Sequence, residues 1–392
     1  MSVDAAVVPR RILPVIVLAQ FAGTALWFAV NAVMPELQAA WGLPPAAVGT
    51  LTSAVQLGFI AGTLVFAVLA VADRFSPGGV FFVCALAGAG CTVAAAQVDR
   101  TLWLLLALRF ATGFFLAGIY PVGMKIAAGW HRQGLGRALG FLVGALVLGT
   151  AAPHGLRALG TSWPWQSVML AVAAIAALGG LMLFLLVPDS PHLPRAPRID
   201  PRALVVIVRD RKVRASALGY FGHMWELYAF WVLVPAIVAT RFSGSRASAA
   251  AFAVIGVGAL GCIGGGLLVR RFGSARIAGA QLAVSGICCV VAPLLLAAPL
   301  ALFTAWLLIW GVAVVGDSPQ FSTLTALNAP REAVGSVLTF VNCVGFAITI
   351  VSIQLSAWFA QGHSLAAVLP GLALGPAAGL FCLRPLLRDR TL

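Results

Sequence analysis

Apolar runs of roughly 20 residues or more follow one another along almost the whole chain, separated by short gaps rich in Pro, Gly and charge. A run of that length forms a helix that crosses the ~30 Å hydrocarbon layer of a bilayer. Twelve runs can be delimited, at about 12–35, 47–72, 78–97, 102–126, 135–156, 165–187, 215–239, 247–269, 275–297, 299–325, 333–359 and 365–383. The alternating ten-residue strands of an outer-membrane barrel are absent. The pattern predicts an all-α membrane protein with twelve transmembrane helices. One connection stands apart: 188–214 opens Pro-Asp-Ser-Pro and stays rich in proline and arginine. It divides the chain into an N-terminal six-helix bundle at 1–187 and a C-terminal six-helix bundle at 215–392.

The halves repeat. Phe21-x13-Pro35 returns as Phe221-x13-Pro235, 200 residues later. Gly113, Gly118 and Pro121 match Gly311, Gly316 and Pro319 at an offset of 198, and Gly136, Leu139 and Phe141 match Gly335, Leu338 and Phe340 at 199. Two parallel, pseudo-symmetric six-span halves are a transporter architecture, with the substrate site near the midplane between them.

Composition agrees with the pattern: 392 residues, 61% hydrophobic and 9% charged, far from an ordinary soluble domain. The formal charge of +14 would suggest nucleic acid if it were clustered on one surface. Its distribution says otherwise. With the N-terminus cytoplasmic, nineteen basic residues fall in cytoplasmic segments and four (Arg100, Arg157, Arg241, Arg246) in outer loops, leaving Arg109 and Lys125 with the spans. This is the positive-inside asymmetry. It implies a multi-pass protein of the cell (inner) membrane with both termini cytoplasmic, whose partner is the lipid bilayer and not nucleic acid. Arg10 and Arg11 precede a full-length span with no small-residue cleavage site, so no cleavable signal peptide is expected. The seven cysteines all lie in or at the ends of apolar spans without C-x2-C pairing, as packing residues do.

Of eleven acidic residues only Glu226 and Asp317 sit well inside spans, and Arg109 is the one basic residue that clearly does. Ionisable groups in hydrocarbon usually face a cavity or a partner. Residues three and four apart share a helix face. The faces so defined are Gly219, His223, Glu226 and Phe230; Arg109, Gly113 and Tyr120; Gln20, Gly23, Trp27 and Asn31; and Trp310, Asp317 and Gln320. Tyr228 and Trp231 lie beside the acidic face of span seven. Such polar-aromatic stripes suit a small-solute site. Blander readings stand beside this one: Arg109 as a strut, Glu226 or Asp317 as acids bonding a neighbouring helix, Trp27 and Trp231 as packing. Lys125, at the end of its span, is expected to snorkel, and His154 to bond a backbone carbonyl. His223-x-x-Glu226 is a single pair, too little for a metal site. No phosphate loop, zinc-protease motif or nucleophile elbow occurs, so neither an enzyme nor a cofactor is expected.

Asp73-Arg74, between spans two and three, resembles the core of the loop motif of the major facilitator superfamily, Gly-x-Leu-x-Asp-Arg-x-Gly, with Leu69 and Ser76 at the glycine positions. Gly266-Leu-Leu-Val-Arg-Arg-Phe-Gly273 resembles its second copy, with Arg270 in place of the acid. Arg109-x3-Gly113 resembles the family's embedded-arginine motif. Tyr120-Pro121 with Trp130 and Arg137-Ala-Leu-Gly140 is similar to organic-anion and nitrate/cyanate-type members. The resemblance implies the superfamily's fold, alternating access, and a cavity lined by spans one, four, seven and ten. It also implies gating at Asp73, Arg74, Arg270 and Arg271. Substrate contacts are then expected from Arg109, Asn31, Trp27, Tyr120, His223, Tyr228, Trp231 and Gln320, and proton coupling from Glu226 and Asp317. The expectation is a monomeric, proton-coupled symporter of a small, anionic solute. A proton-driven exporter of drugs or metabolites is the nearest alternative, and a transporter-like membrane sensor a remote one.

Overall fold

The computed structural model describes residues 9–131, 135–160, 162–190 and 199–388. Among them there are helices and no strands: eleven helical segments long and apolar enough to cross a membrane, plus the apolar helix Ile12–Thr24. In lipid every backbone polar group must be satisfied within the protein, which a helix does for itself. The segments form two pseudo-symmetric six-helix bundles.

Several spans are interrupted. Span one, expected as a continuous run at 12–35, stops at Thr24, passes through turns at 25–28, and resumes as Ala29–Ala32 and Met34–Trp41. Span four divides into Leu102–Leu116 and Tyr120–Trp130, and span ten into Leu300–Gly316 and Ser318–Asn328. Pro121 and Pro319 each open the second segment, where a residue lacking an N–H costs nothing. The repeat seen in the sequence is thus a repeat of helix breaks.

The repeated glycines mark close helix crossings. A Cβ at Gly113 would stand 2.0 Å from Val55 O of the helix Ala47–Val68, and one at Gly311 would stand 2.1 Å from Val254 O of Gly244–Gly256. Backbone sits against backbone there, so neither side can yield by a rotamer change. Gly113→Ala is expected to cost about 1–3 kcal/mol, the usual range for overpacking, read as a lowered melting temperature of the purified protein. Unchanged melting would mean that the two helices are free to separate.

The bundles meet along two helix pairs. Ala47–Val68 packs on Val334–Phe359, and Leu135–Leu159 packs on the two segments of span eight, Gly244–Gly256 and Gly258–Phe272. Away from the linker, Gln354 Nε2 donates to Ser53 Oγ across the interface at 2.9 Å. The linker is stitched at both ends. Ser76 Oγ lies 2.9 Å from Asp189 Oδ1, Trp130 Nε1 donates to Pro188 O, and Ser190 Oγ donates to Gly129 O, all on the N-terminal bundle. On the other side Asp200 N donates to Ser336 Oγ at 2.9 Å. The helix Ala203–Arg209 then packs against Arg211–Ala239 and Val334–Phe359.

Candidate functional site

The break in span one is held by Arg109. Its guanidinium donates through Nη1 to Leu26 O at 3.1 Å and through Nη2 to Trp27 O at 2.5 Å, two carbonyls that no described backbone N–H reaches. The planar fork of Arg suits such a pair of acceptors. The side chain is fully buried, and its Nε has no partner among the described residues. The ion pairs found among those residues, Lys125–Asp73, Arg157–Glu36 and His223–Asp317, leave Arg109 without a carboxylate.

The turn that Arg109 holds carries Trp27 and Phe28 into the interface between the bundles. They meet Tyr228, Trp231 and Phe346 of the other bundle, with Phe59 completing the group. Trp27 stacks on Phe346 at 5.6 Å between centroids, Phe28 meets Trp231 edge-on at 6.0 Å, and Phe59 lies 4.5 Å from Phe346. All six rings are essentially buried. Aromatic pairs contribute about 0.5–1.5 kcal/mol each beyond their buried area, so these rings are a principal adhesive between the bundles. Spans one and two are zipped together beside them: Trp27 Nε1 donates to Gln56 Oε1 at 3.2 Å and Asn31 Nδ2 to Thr52 Oγ1 at 2.8 Å.

Behind the rings, the C-terminal bundle holds two acids in different settings. Glu226 accepts three bonds: from Ser285 Oγ and Trp310 Nε1, each at 2.6 Å, and from Cys289 Sγ at 3.2 Å. Every donor comes from the same bundle, and both carboxylate oxygens are used. Asp317 stands at the break of span ten, its Oδ1 2.8 Å from His223 Nδ1. That contact is an ion-pair approach rather than a well-aligned hydrogen bond. Asp317 Oδ2, His223 Nε2, Trp231 Nε1 and Gln320 Oε1 are buried without a hydrogen-bond partner among the described residues. Unsatisfied buried polar groups are rare enough in native proteins to need a reason, and binding is a reason that fits the neighbouring Asp317 and His223.

The other expected site residues are more dispersed. Tyr120 is half-buried at the start of the second segment of span four, outside the ring cluster. Gln320 packs toward Gly265 of span eight. The loop motif sits at the linker face, beside a cavity of about 180 Å³ shared by both bundles and lined by Thr63, Asp73, Lys125, Ile199, Ser336 and Thr339 among others. Lys125, expected to snorkel, reaches the loop between spans two and three, at Asp73 Oδ1 (2.5 Å) and Ala72 O (2.8 Å). Arg74 is exposed, while Arg270 and Arg271 close the helix Gly258–Phe272 at its C-terminal end, where positive charge complements the helix dipole. His154 is buried with Nε2 unpartnered.

Sequence reasoning missed Gln56, Thr52, Phe59, Phe346, Ser285 and Cys289. Thr52 with Gln56, and Ser285 with Cys289, are polar or sulfur-bearing pairs four residues apart within apolar runs, a signal that could have marked both faces.

Comparison with known proteins places this arrangement. In sequence, the 4-hydroxybenzoate transporter PcaK of Pseudomonas putida is 25% identical over 308 residues, 66% of this chain and 66% of that one. The matched region thus spans about two thirds of the relative's length. In structure, the human organic anion transporter MFSD10 (TETRAN) superposes with a TM-score of 0.73 over 95% of this chain and 99% of its own, at 17% identity, which is a likeness of fold. The family model described as Major Facilitator Superfamily matches residues 16–353. With that match over most of its length and the twelve-span, two-bundle architecture, the chain belongs to the major facilitator superfamily of membrane transporters.

Proposed function

We propose that this protein is a secondary transporter that moves a small organic anion by alternating access, in symport with protons. The observation that carries the reading is Arg109, a wholly buried cation whose described partners are carbonyl dipoles and not a carboxylate. Buried charges are normally paired. An anion entering between the bundles would supply the missing charge, and the free Nε–H edge offers it a donor. The printed names of PcaK and MFSD10, transporters of 4-hydroxybenzoate and of organic anions, support the same class of cargo. The six rings suit a flat or apolar remainder, and Asn31, Tyr120, Tyr228, Trp231 and Gln320 would complete the contacts.

For the coupling proton, the geometry favours the His223–Asp317 pair over Glu226. The pair has open valences and stands at a helix break, so a change at the break alters its surroundings. Glu226 is saturated by donors that would travel with it in any rigid rocking of the bundle. In this reading 1–187 and 215–392 are the rocking units, the linker and both termini are cytoplasmic, and the monomer suffices.

The test is substrate-dependent pH change in proteoliposomes. Benzoate-type anions, added outside, are expected to enter with protons and acidify the lumen faster than in protein-free liposomes given the same anion. Lumenal alkalinisation on adding lipophilic cations, with no response to anions, would favour the drug-exporter alternative and overturn the proposal.

A further inference from the structure

The linker helix Ala203–Arg209 is apolar from Ala203 to Val208 but packed on only one face. Ala203, Val206 and Ile207 join the protein core, whereas Leu204, Val205 and Val208 are 45%, 50% and 65% exposed. A short helix with three bare aliphatic side chains needs something to cover them, and its position indicates what. The next helix, Arg211–Ala239, has 29 residues and is about 43 Å long at 1.5 Å per residue, longer than the ~30 Å hydrocarbon layer. Its first residues therefore stand at headgroup level. One extended residue, Asp210, separates the two helices, so the linker helix folds back at that same level.

Charge brackets the apolar face. Arg202 and Arg209 are seven positions apart, two helical turns and about 10 Å, and thus share a face with Val205 between them. With Asp210 and Pro330 these residues line an open groove. Both arginines are exposed, and neither takes part in an ion pair found among the described residues. The acids nearest in sequence are engaged by backbone: Asp200 Oδ1 accepts from the N–H of Arg202, and Asp210 Oδ1 from the N–H of Lys212 and Val213.

We propose that this groove is a binding site for an anionic phospholipid: Arg202 and Arg209 hold the phosphate, and Leu204, Val205 and Val208 lie against the acyl chains. An apolar helix face flanked by arginines suits both parts of such a lipid; a soluble phosphate lacks the chains, and in a zwitterionic lipid the headgroup's own cation offsets the phosphate charge. The site is separate from the transport pathway, so it stands whether or not the cargo is an anion.

The test uses the purified full-length protein in neutral detergent, with thermal unfolding and native mass spectrometry as readouts. Phosphatidylglycerol is expected to raise the melting temperature by several degrees and to be retained in the spectra, and phosphatidylcholine is not. R202Q/R209Q should fold normally, because both side chains are exposed, and should lose most of the phosphatidylglycerol-specific shift and retention. Soluble glycerophosphoglycerol should leave melting unchanged. A full phosphatidylglycerol effect in the double variant would overturn the assignment. So would an equal shift from the soluble headgroup.

Discussion

Arg109→Ala is expected to abolish substrate binding and to lower stability, because the residue serves the cargo and the fold at once. Without the guanidinium, Leu26 O and Trp27 O lose their donors inside the membrane, at a cost of about 1–3 kcal/mol for each buried group left unsatisfied. The turn carrying Trp27 and Phe28 would relax, and the cross-bundle rings with it. Arg109→Lys separates the two roles. An ammonium keeps the charge but is a compact point donor that cannot reproduce the planar two-pronged contact. Partial recovery of stability without recovery of transport is therefore expected. The measurements are ligand-induced thermal stabilisation and uptake into proteoliposomes, made on the same preparations. Normal anion affinity in Arg109→Ala would reduce the residue to a strut.

The second large effect concerns coupling. Asp317→Asn removes the carboxylate that faces His223 and is expected to eliminate accumulation driven by a pH gradient, while exchange of labelled for unlabelled substrate persists. Glu226→Gln should behave differently. Its amide oxygen can still accept from Trp310 Nε1 and Cys289 Sγ, while its NH2 takes the place of the second oxygen and donates to Ser285 Oγ, which turns from donor to acceptor. A stability change of no more than about 1 kcal/mol with gradient-driven accumulation retained is the expected result. Reversal of the two phenotypes would move the coupling site to Glu226.

Much of this was legible in the sequence because membrane helices announce themselves by length and apolarity. The breaks at Pro121 and Pro319 were foreshadowed by two copies of Gly-x4-Gly-x2-Pro. The break in span one was not, since a broken and an unbroken apolar run have the same composition. There the deciding contact comes from Arg109, 82 residues away from Trp27. The two embedded acids were found, but their different surroundings were hidden, because the partners of Glu226 lie 59 to 84 residues distant on other helices. The partner of Lys125 was hidden for the same reason: Asp73 is 52 residues upstream.

The stitched linker bears on what sets the balance between the transporter's states. Ser190 is fastened to one bundle and Asp200 to the other, ten residues apart. Ten residues can reach as far as about 33–36 Å, so the length of the connection alone does not hold the two anchors at one separation. The connection keeps two half-molecules at high effective concentration without its length fixing either posture. The preference between postures must then reside in non-covalent contacts, above all the six rings between the bundles and the Gln354–Ser53 bond.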